Sequence, residues 1–330
     1  MRFRKPAYYD EFRCLAGACP DSCCQEWDVQ VDPEAARRYL SLQSPLGDRL
    51  RTVLREQDGE YTMQIQNRRC PMWRDDGLCR IQAELGHDGL CRVCQEFPRL
   101  RHDYGDFVEM GLELSCPEAA RLMLKTPAAP DIEWEEAGGE APEYDPLDME
   151  ILLRTRQKAL ELLAHRPLVE ALALLLLYGY RAQDELDGAE EEDFSAEAEL
   201  DFARRIAGAG DEAALLGFYN DLEVLTPRWE RRLAAPLGGD WPEELRAMAR
   251  CGIERYWLQA ISDFDLVCRV KLIVAGCILV GLLGGDPVET AQLYSKEIDN
   301  SIENVEAILD GAYAAPALTD ANLLGILLER

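Results

Sequence analysis

The 330-residue sequence predicts a mainly α protein in two parts: an irregular, cysteine-rich N-terminal module with few short strands, followed by an all-helical C-terminal module. Three observations carry this. Nine of the twelve cysteines lie within the first 116 residues, as Cys14, Cys19, Cys23, Cys24, Cys70, Cys79, Cys91, Cys94 and Cys116. Residues 1–125 hold 18 Lys and Arg against 21 Asp and Glu, and residues 126–330 hold 17 against 41, so most of the net charge of −27 belongs to the second part. From Leu147 onward apolar residues recur at helical spacing. The composition breaks at Thr126-Pro127-Ala128-Ala129-Pro130 through Gly138-Gly139, which places the modules at 1–125 and 126–330.

In the first module, Asp32 is placed to cap a helix with Pro33 at its first position and Ala35, Ala36, Tyr39 and Leu40 at helical spacing, interrupted near Pro45. Residues 61–66 alternate as a strand does. Between Cys70 and Cys79, the Asp76-Gly77 pair suits a tight reversal that folds the two cysteines toward each other. Cys91-Arg92-Val93-Cys94 has the two-residue spacing of zinc knuckles and iron-sulfur loops, and Phe97-Pro98 stops any helix behind it. Ser115-Cys116-Pro117-Glu118 reads as a capping box, which sets Cys116 at a helix N-terminus, where backbone N–H groups and the helix dipole favour a thiolate.

In the second module, Leu152, Leu153, Leu160, Leu162 and Leu163 mark one helix and residues 168–178 the next. Thr226-Pro227 and Asp286-Pro287-Val288-Glu289 are further helix starts, and about seven helices are expected in all. The acidic segment 184–193 reads as a solvated loop. The most apolar run, 272–283, falls short of the about 20 residues that span a bilayer and reads as a buried helix.

Composition narrows the function classes. The charged start, Met1-Arg2-Phe3-Arg4-Lys5-Pro6, is followed by no apolar segment, so the chain is read as cytoplasmic. Thiols stay reduced there, which favours metal ligation over disulfides. The acidic charge disfavours a nucleic-acid partner and anionic membranes, and no membrane insertion is expected. The thiolates call for a soft-ligand metal, either zinc or an iron-sulfur centre. Only Cys91/Cys94 and Cys14/Cys19 come near zinc-knuckle spacing, which gives iron-sulfur the edge. The adjacent Cys23 and Cys24 cannot easily aim at one ion, so they imply two centres or a cluster with one cysteine in its second shell.

Other chemistries are weakly supported. Cys19 and Cys23 supply the first gap of a radical S-adenosylmethionine signature, but Glu26 stands where its third cysteine belongs. A glycine-rich nucleotide loop after a strand is lacking, which disfavours a Rossmann-type enzyme. Cys251, Cys268 and Cys277 lie in apolar helical stretches as core residues. His87, His102 and His165 are read as surface or hydrogen-bonded groups. Arg92, Arg99 and Arg101 either grip a carboxylate or offset thiolate and sulfide charge.

The chain resembles the flagellin lysine N-methylases (FliB-like), whose N-terminal part belongs to a broader set of zinc- or iron-chelating cysteine-cluster proteins. The resemblance rests on Phe12-Arg13-Cys14, Cys19, Cys23-Cys24 and Trp27, then Cys70-Pro71, Leu78-Cys79-Arg80-Ile81-Gln82 and Leu85-Gly86. It continues through Cys94, Phe97-Pro98-Arg99 and Leu114-Ser115-Cys116-Pro117-Glu118 to Tyr294-Ser295-Lys296-Glu297-Ile298, Ser301, Asn304 and Leu309. It implies methyl transfer from S-adenosylmethionine to lysines of flagellin, with a 4Fe-4S cluster, zinc being the alternative filling, held by N-terminal cysteines. The pattern's eight cysteines carry over as Cys14, Cys19, Cys23, Cys24, Cys70, Cys79, Cys94 and Cys116, and Cys91 lies outside it. Neither a catalytic base nor an S-adenosylmethionine site follows from the resemblance. The rival expectation is a non-enzymatic zinc or iron-sulfur binding protein whose helical module docks a partner.

Overall fold

Seven short strands and fifteen α-helices make up the described residues of the computed structural model, which are 1–25, 28–126, 131–138, 141–239 and 241–328. The protein is mainly α, as the periodicity predicts. The strands are β1 (Arg2–Lys5), β2 (Val29–Val31), β3 (Leu54–Gln57), β4 (Glu60–Met63), β5 (Arg99–Asp103), β6 (Phe107–Leu112) and β7 (Ile132–Glu135). They form a four-stranded sheet in the order β5-β6-β1-β7 and a three-stranded sheet in the order β2-β4-β3. In the first, β1 runs parallel to β6 and antiparallel to β7, which sets Phe3 opposite both Val108 and Trp134. In the second, β3 and β4 are joined by Asp58-Gly59, both at positive φ, the backbone that a two-residue hairpin turn demands.

The small sheet packs on the helices Pro33–Ser41 and Pro45–Val53. Each begins as its sequence dictates: Asp32 accepts from Ala35 N at 2.9 Å and Ser44 from Gly47 N at 3.2 Å, with proline in the first turn of both. Val29, Val31, Tyr39, Leu50 and Met63 form a small core there. The larger core draws on both sides of residue 125, combining Tyr8, Phe12, Phe107, Leu112 and Met123 with Leu152, Leu174 and Trp257. The break expected near 126–139 falls in part on residues outside the described ones, as do Glu26 and Trp27.

From Pro146 onward the described residues form ten α-helices, more than expected. The additional ones include the short Ala196–Ile206 and Glu212–Asn220, started by a capping Ser195 and Asp211. The apolar run belongs to Val267–Leu283, a helix buried along its whole length. Its two cations are satisfied inside: Arg269 pairs with both oxygens of Asp263 at 2.9 Å, and Lys271 donates to Ala312 O at 2.9 Å and meets Asp320 at 3.0 Å. No helix among the described residues is long and apolar enough to cross a membrane. The expected loop at 184–193 starts later than the composition implies, because the helix Leu168–Leu186 continues through Asp184 and Glu185. Glu185 is buried against Arg154 at 2.5 Å, so this carboxylate belongs to a packed pair, not a solvated face.

Candidate metal centre

Three loops carry eight of the nine N-terminal cysteines, each held by contacts that its sequence provides, and Cys116 precedes the helix Pro117–Lys125. In the first, a 3-10 turn at Ala16–Ala18 leads to Cys19, whose Sγ donates to Asp21 O at 3.3 Å. Asp21 is gripped from the helix Pro287–Ile298 by Lys296 at 2.7 Å and Gln292 at 2.9 Å. Gln292 also donates to Ser115 O at 2.8 Å, so one side chain ties the first loop to the residue before Cys116. In the second loop, the reversal expected at Asp76-Gly77 forms: Arg74 N bonds Leu78 O at 2.9 Å, and Trp73 bridges to Cys79. Gly77 has φ +79°, and a Cβ there would come within 2.9 Å of the Gly17 Cα, so glycine is what lets the first two loops touch. Cys70 N bonds Cys24 O at 2.8 Å, which draws these loops closer still.

In the third loop, Cys91 precedes the short helix Arg92–Glu96, anchored by Arg92 N on Asp32 at 2.8 Å and by Tyr39 Oη on Gly89 O at 2.9 Å. Cys91 is 2% exposed, whereas Cys94 lies at the surface. Cys70 and Cys91 sit in the small core with Cys24 and Cys79 packed against it, while Cys116 belongs to the larger core. Cys251, Cys268 and Cys277 are buried among the helices, as their apolar surroundings predict. Of the histidines, His87 is exposed, His165 ends the helix Pro146–Ala164 and His102 lies half-buried on β5. Arg99 stacks over Phe12 and Tyr9 and Arg101 over Phe3, so both occupy aromatic faces.

The twelve cysteines are thiols, not disulfides. Burial pushes Cys70 up to about 12, with the charges of Cys24, Cys79 and Cys91 adding to it. Burial likewise raises Cys116 to about 11, with Cys19 and Cys14 contributing. Here the structure corrects the expectation of a thiolate stabilised at a helix N-terminus. Cys116 does precede the helix Pro117–Lys125, and the N–H groups of Glu118 and Ala119 do pull its pKa down, but desolvation outweighs them. The capping box does not form either: no side chain caps this helix, and Ser115 turns to Glu113. Cys24 is lowered to about 7 by the hydrogen bond from Cys23.

Among the described residues, no three His, Cys, Asp or Glu side chains are gathered tightly enough, as they stand, to hold a single metal ion. By donor chemistry the thiols fit a soft centre, since several neighbouring loops bring them within reach of each other's charge. A sulfide-bridged cluster, in which each thiolate takes a different iron, draws its cysteines together less tightly than one ion does.

A second polar site escapes any motif. Between the four-stranded sheet and the helices lies a cavity of about 60 Å³, lined in part by Arg4, His102, Glu109, Asp131, Arg156 and Glu254. Arg156 grips Glu109 with two bonds of 2.7 and 2.6 Å, and Arg4 pairs with Glu109 at 3.3 Å and also with Asp131. His102 Nε2 is buried without a hydrogen-bond partner. Burial pushes Glu254 up to about 7 against the pull of Arg250. A cavity of this size admits a few waters and no substrate. The sequence signal for it is slight, since Glu254 and Arg255 lie in a helix that also carries Glu244, Arg246 and Arg250.

Because its carboxyl keeps a proton longer in the folded chain than in the unfolded one, Glu254 costs stability as pH rises from about 4.5 to about 7. Its side chain is 33% exposed, through the cavity, which softens the cost. Glu254→Gln is therefore expected to stabilise the protein by about 1 to 2 kcal/mol at pH 8 and to change little at pH 4. Denaturant unfolding at both pH values checks this, and an equal effect at both would contradict it.

Comparison with known proteins gives three matches over the same extent. The chain is 31% identical over 135 residues to the flagellar biosynthetic protein FliU of Salmonella muenchen, covering 38% of this chain and 78% of that protein. It is also 31% identical over 135 residues to the lysine-N-methylases of Salmonella typhimurium and Salmonella choleraesuis. That match covers 38% of this chain and 33% of each methylase, so it spans about a third of their length. No family model matches the chain, and no solved structure does.

Proposed function

Because the chain belongs to the FliB-like flagellin lysine N-methylase family, we propose that it transfers methyl groups from S-adenosylmethionine to lysine side chains of flagellin. The observation that carries this reading is the match to proteins named lysine-N-methylase. In the proposed reaction the neutral lysine nitrogen attacks the sulfonium methyl carbon. A nitrogen–carbon bond forms, the carbon–sulfur bond breaks, S-adenosylhomocysteine leaves and the amine proton passes to water. The protein's part is to strip water from the amine and hold it in line.

A lysine-bearing segment is best accommodated by an open groove of about 310 Å³ beside β1, β6 and β7. One wall is the stacked pair Phe3 and Trp134, with ring centroids 5.1 Å apart, and the carboxylates Glu109, Glu133 and Glu135 line it against the cations Arg2 and Arg4. Aromatic faces and carboxylates together attract an ammonium group, and Lys5 already places its own Nζ 5.3 Å from the Trp134 ring. Trp134→Ala is expected to raise the KM for flagellin about tenfold with kcat little changed. An unchanged KM would remove the groove from the substrate path.

In this reading an iron-sulfur cluster, with zinc as the other filling, is held by the N-terminal cysteines. Such a cluster supplies a rigid soft-metal anchor for the loops and is not needed for the polar transfer itself. The modules at 1–125 and 126–330 then divide the work by chemistry, the first carrying thiols and the second most of the acidic charge. The setting is cytoplasmic, where thiols stay reduced. Peptide mass spectrometry of flagellin produced with and without this chain tests the proposal. Methyl-lysine only in the chain's presence is expected, and identical spectra would refute it.

A further inference from the structure

We infer that the outer edge of β7 is a docking strand, to which a basic, extended segment of the protein substrate adds as the fifth strand of the sheet. The inference rests on the lysine-methylation reading above and names how the lysine-bearing segment is held.

β7 ends the order β5-β6-β1-β7 and, among the described residues, no strand pairs with its other side. Met1 N donates to Glu136 O at 3.1 Å and Glu136 N to Met1 O at 3.1 Å, so these two residues exchange both bonds. Bonded and non-bonded pairs alternate in an antiparallel ladder. Phe3 and Trp134 are therefore the next bonded pair, while Arg2 with Glu135 and Arg4 with Glu133 are non-bonded ones. The N–H and C=O of Glu133 and Glu135 point away from β1, and no described residue bonds them. A second chain can take up these four groups without disturbing the existing sheet.

Charge selects the partner. Asp131, Glu133, Glu135 and Glu136 put four carboxylates into residues 131–136. Asp131 is taken by Arg4, and Glu136 accepts from the Trp134 ring nitrogen at 2.8 Å. Glu133 and Glu135 are exposed and make no ion pair among the described residues, because Arg2 and Arg4 opposite them turn to Asp106, Glu109 and Asp131. Two residues apart on one strand, they lie about 7 Å from each other on one face, the spacing of alternate side chains in an extended chain. A segment with cations at alternate positions meets both. Trp134 and Ile132, the latter 43% exposed, lie on the opposite face and suit β-branched or apolar residues between the cations. A second copy fits less well. β7 against β7 sets carboxylate against carboxylate, and on β5 the alternate cations Arg99 and Arg101 already lie over Phe12 and Phe3.

The test is binding of the full chain to a short synthetic peptide alternating lysine with threonine, followed by fluorescence anisotropy without S-adenosylmethionine. Two further peptides carry backbone N-methyl groups, one on the lysine amides and the other on the threonine amides. In a paired strand one set of amides faces β7 and the other faces solvent, so one methylated peptide should lose about tenfold in affinity and the other should keep it. Glu133→Gln with Glu135→Gln should weaken the unmodified peptide by about tenfold. Glu190→Gln with Asp193→Asn, which removes the same charge from exposed positions elsewhere, should leave it unchanged. Equal affinity for the two methylated peptides overturns the inference, and so does equal binding by the two double variants. Association of the chain with itself that is lost in Glu133→Gln with Glu135→Gln would give the edge to a second copy and overturn it too. Methyl transfer is read separately: strand-like binding with no transfer would remove the enzymatic reading alone, and transfer to peptides whose binding ignores backbone methylation would remove only the docking edge.

Discussion

Lys296→Met is expected to destabilise the protein by about 3 kcal/mol and to loosen the first cysteine loop. Lys296 and Asp21 form an ion pair of 2.7 Å whose side chains are 11% and 15% exposed, so little water screens either charge. Removing the ammonium leaves the Asp21 carboxylate in a largely dry site with Gln292 alone. The cost is that of an unpaired buried charge, which exceeds what the pair itself contributes. Adding Asp21→Asn in the same chain removes the stranded charge. The double variant should therefore lose less than the sum of the single ones, by about 1 to 3 kcal/mol. A urea titration of the four proteins measures this coupling, and strict additivity would show that the loop is not held through this pair.

Arg156→Met is expected to cost about 3 to 5 kcal/mol, because it leaves a buried carboxylate without its main partner. Arg156, on the helix Pro146–Ala164, grips Glu109 of β6 with two short bonds, and its side chain is 4% exposed. Without it Glu109 keeps only Arg4 at 3.3 Å. The pair fastens the four-stranded sheet to the helices through β6, so its loss should lower the unfolding midpoint and loosen β6 and the strands paired with it, β5 and β1. Hydrogen exchange along β5, β6 and β1 reports on that loosening. Unchanged protection there, with a destabilisation under about 1 kcal/mol, would place the sheet's anchorage in its apolar contacts.

Local rules were legible wherever a short signal acts on its own turn of chain. Asp32, Thr226 and Asp286 cap helices as their spacing to proline predicts, and the Asp76-Gly77 reversal forms. The apolar 272–283 run is a buried helix, and the three later cysteines fill the core. What could not be read depends on partners distant in sequence. Glu185 and Arg156 look like solvated charges until Arg154 and Glu109 are placed beside them. Cys116 looks like an activated thiol until its burial is known, because desolvation is a property of the tertiary fold and the helix dipole is not. Cys91 lies outside the family pattern, yet it is the most deeply buried of the nine N-terminal cysteines.

Methyl transfer by the purified chain is the most direct test of the proposed activity. The measurement is incubation of the anaerobically prepared protein with flagellin and S-adenosylmethionine carrying a labelled methyl group, followed by hydrolysis and separation of the amino acids. Label in methyl-lysine, dependent on the chain and on flagellin, is the predicted result. Full metal content with no label in lysine would contradict it and leave a cysteine-bound metal protein that binds a partner without catalysis.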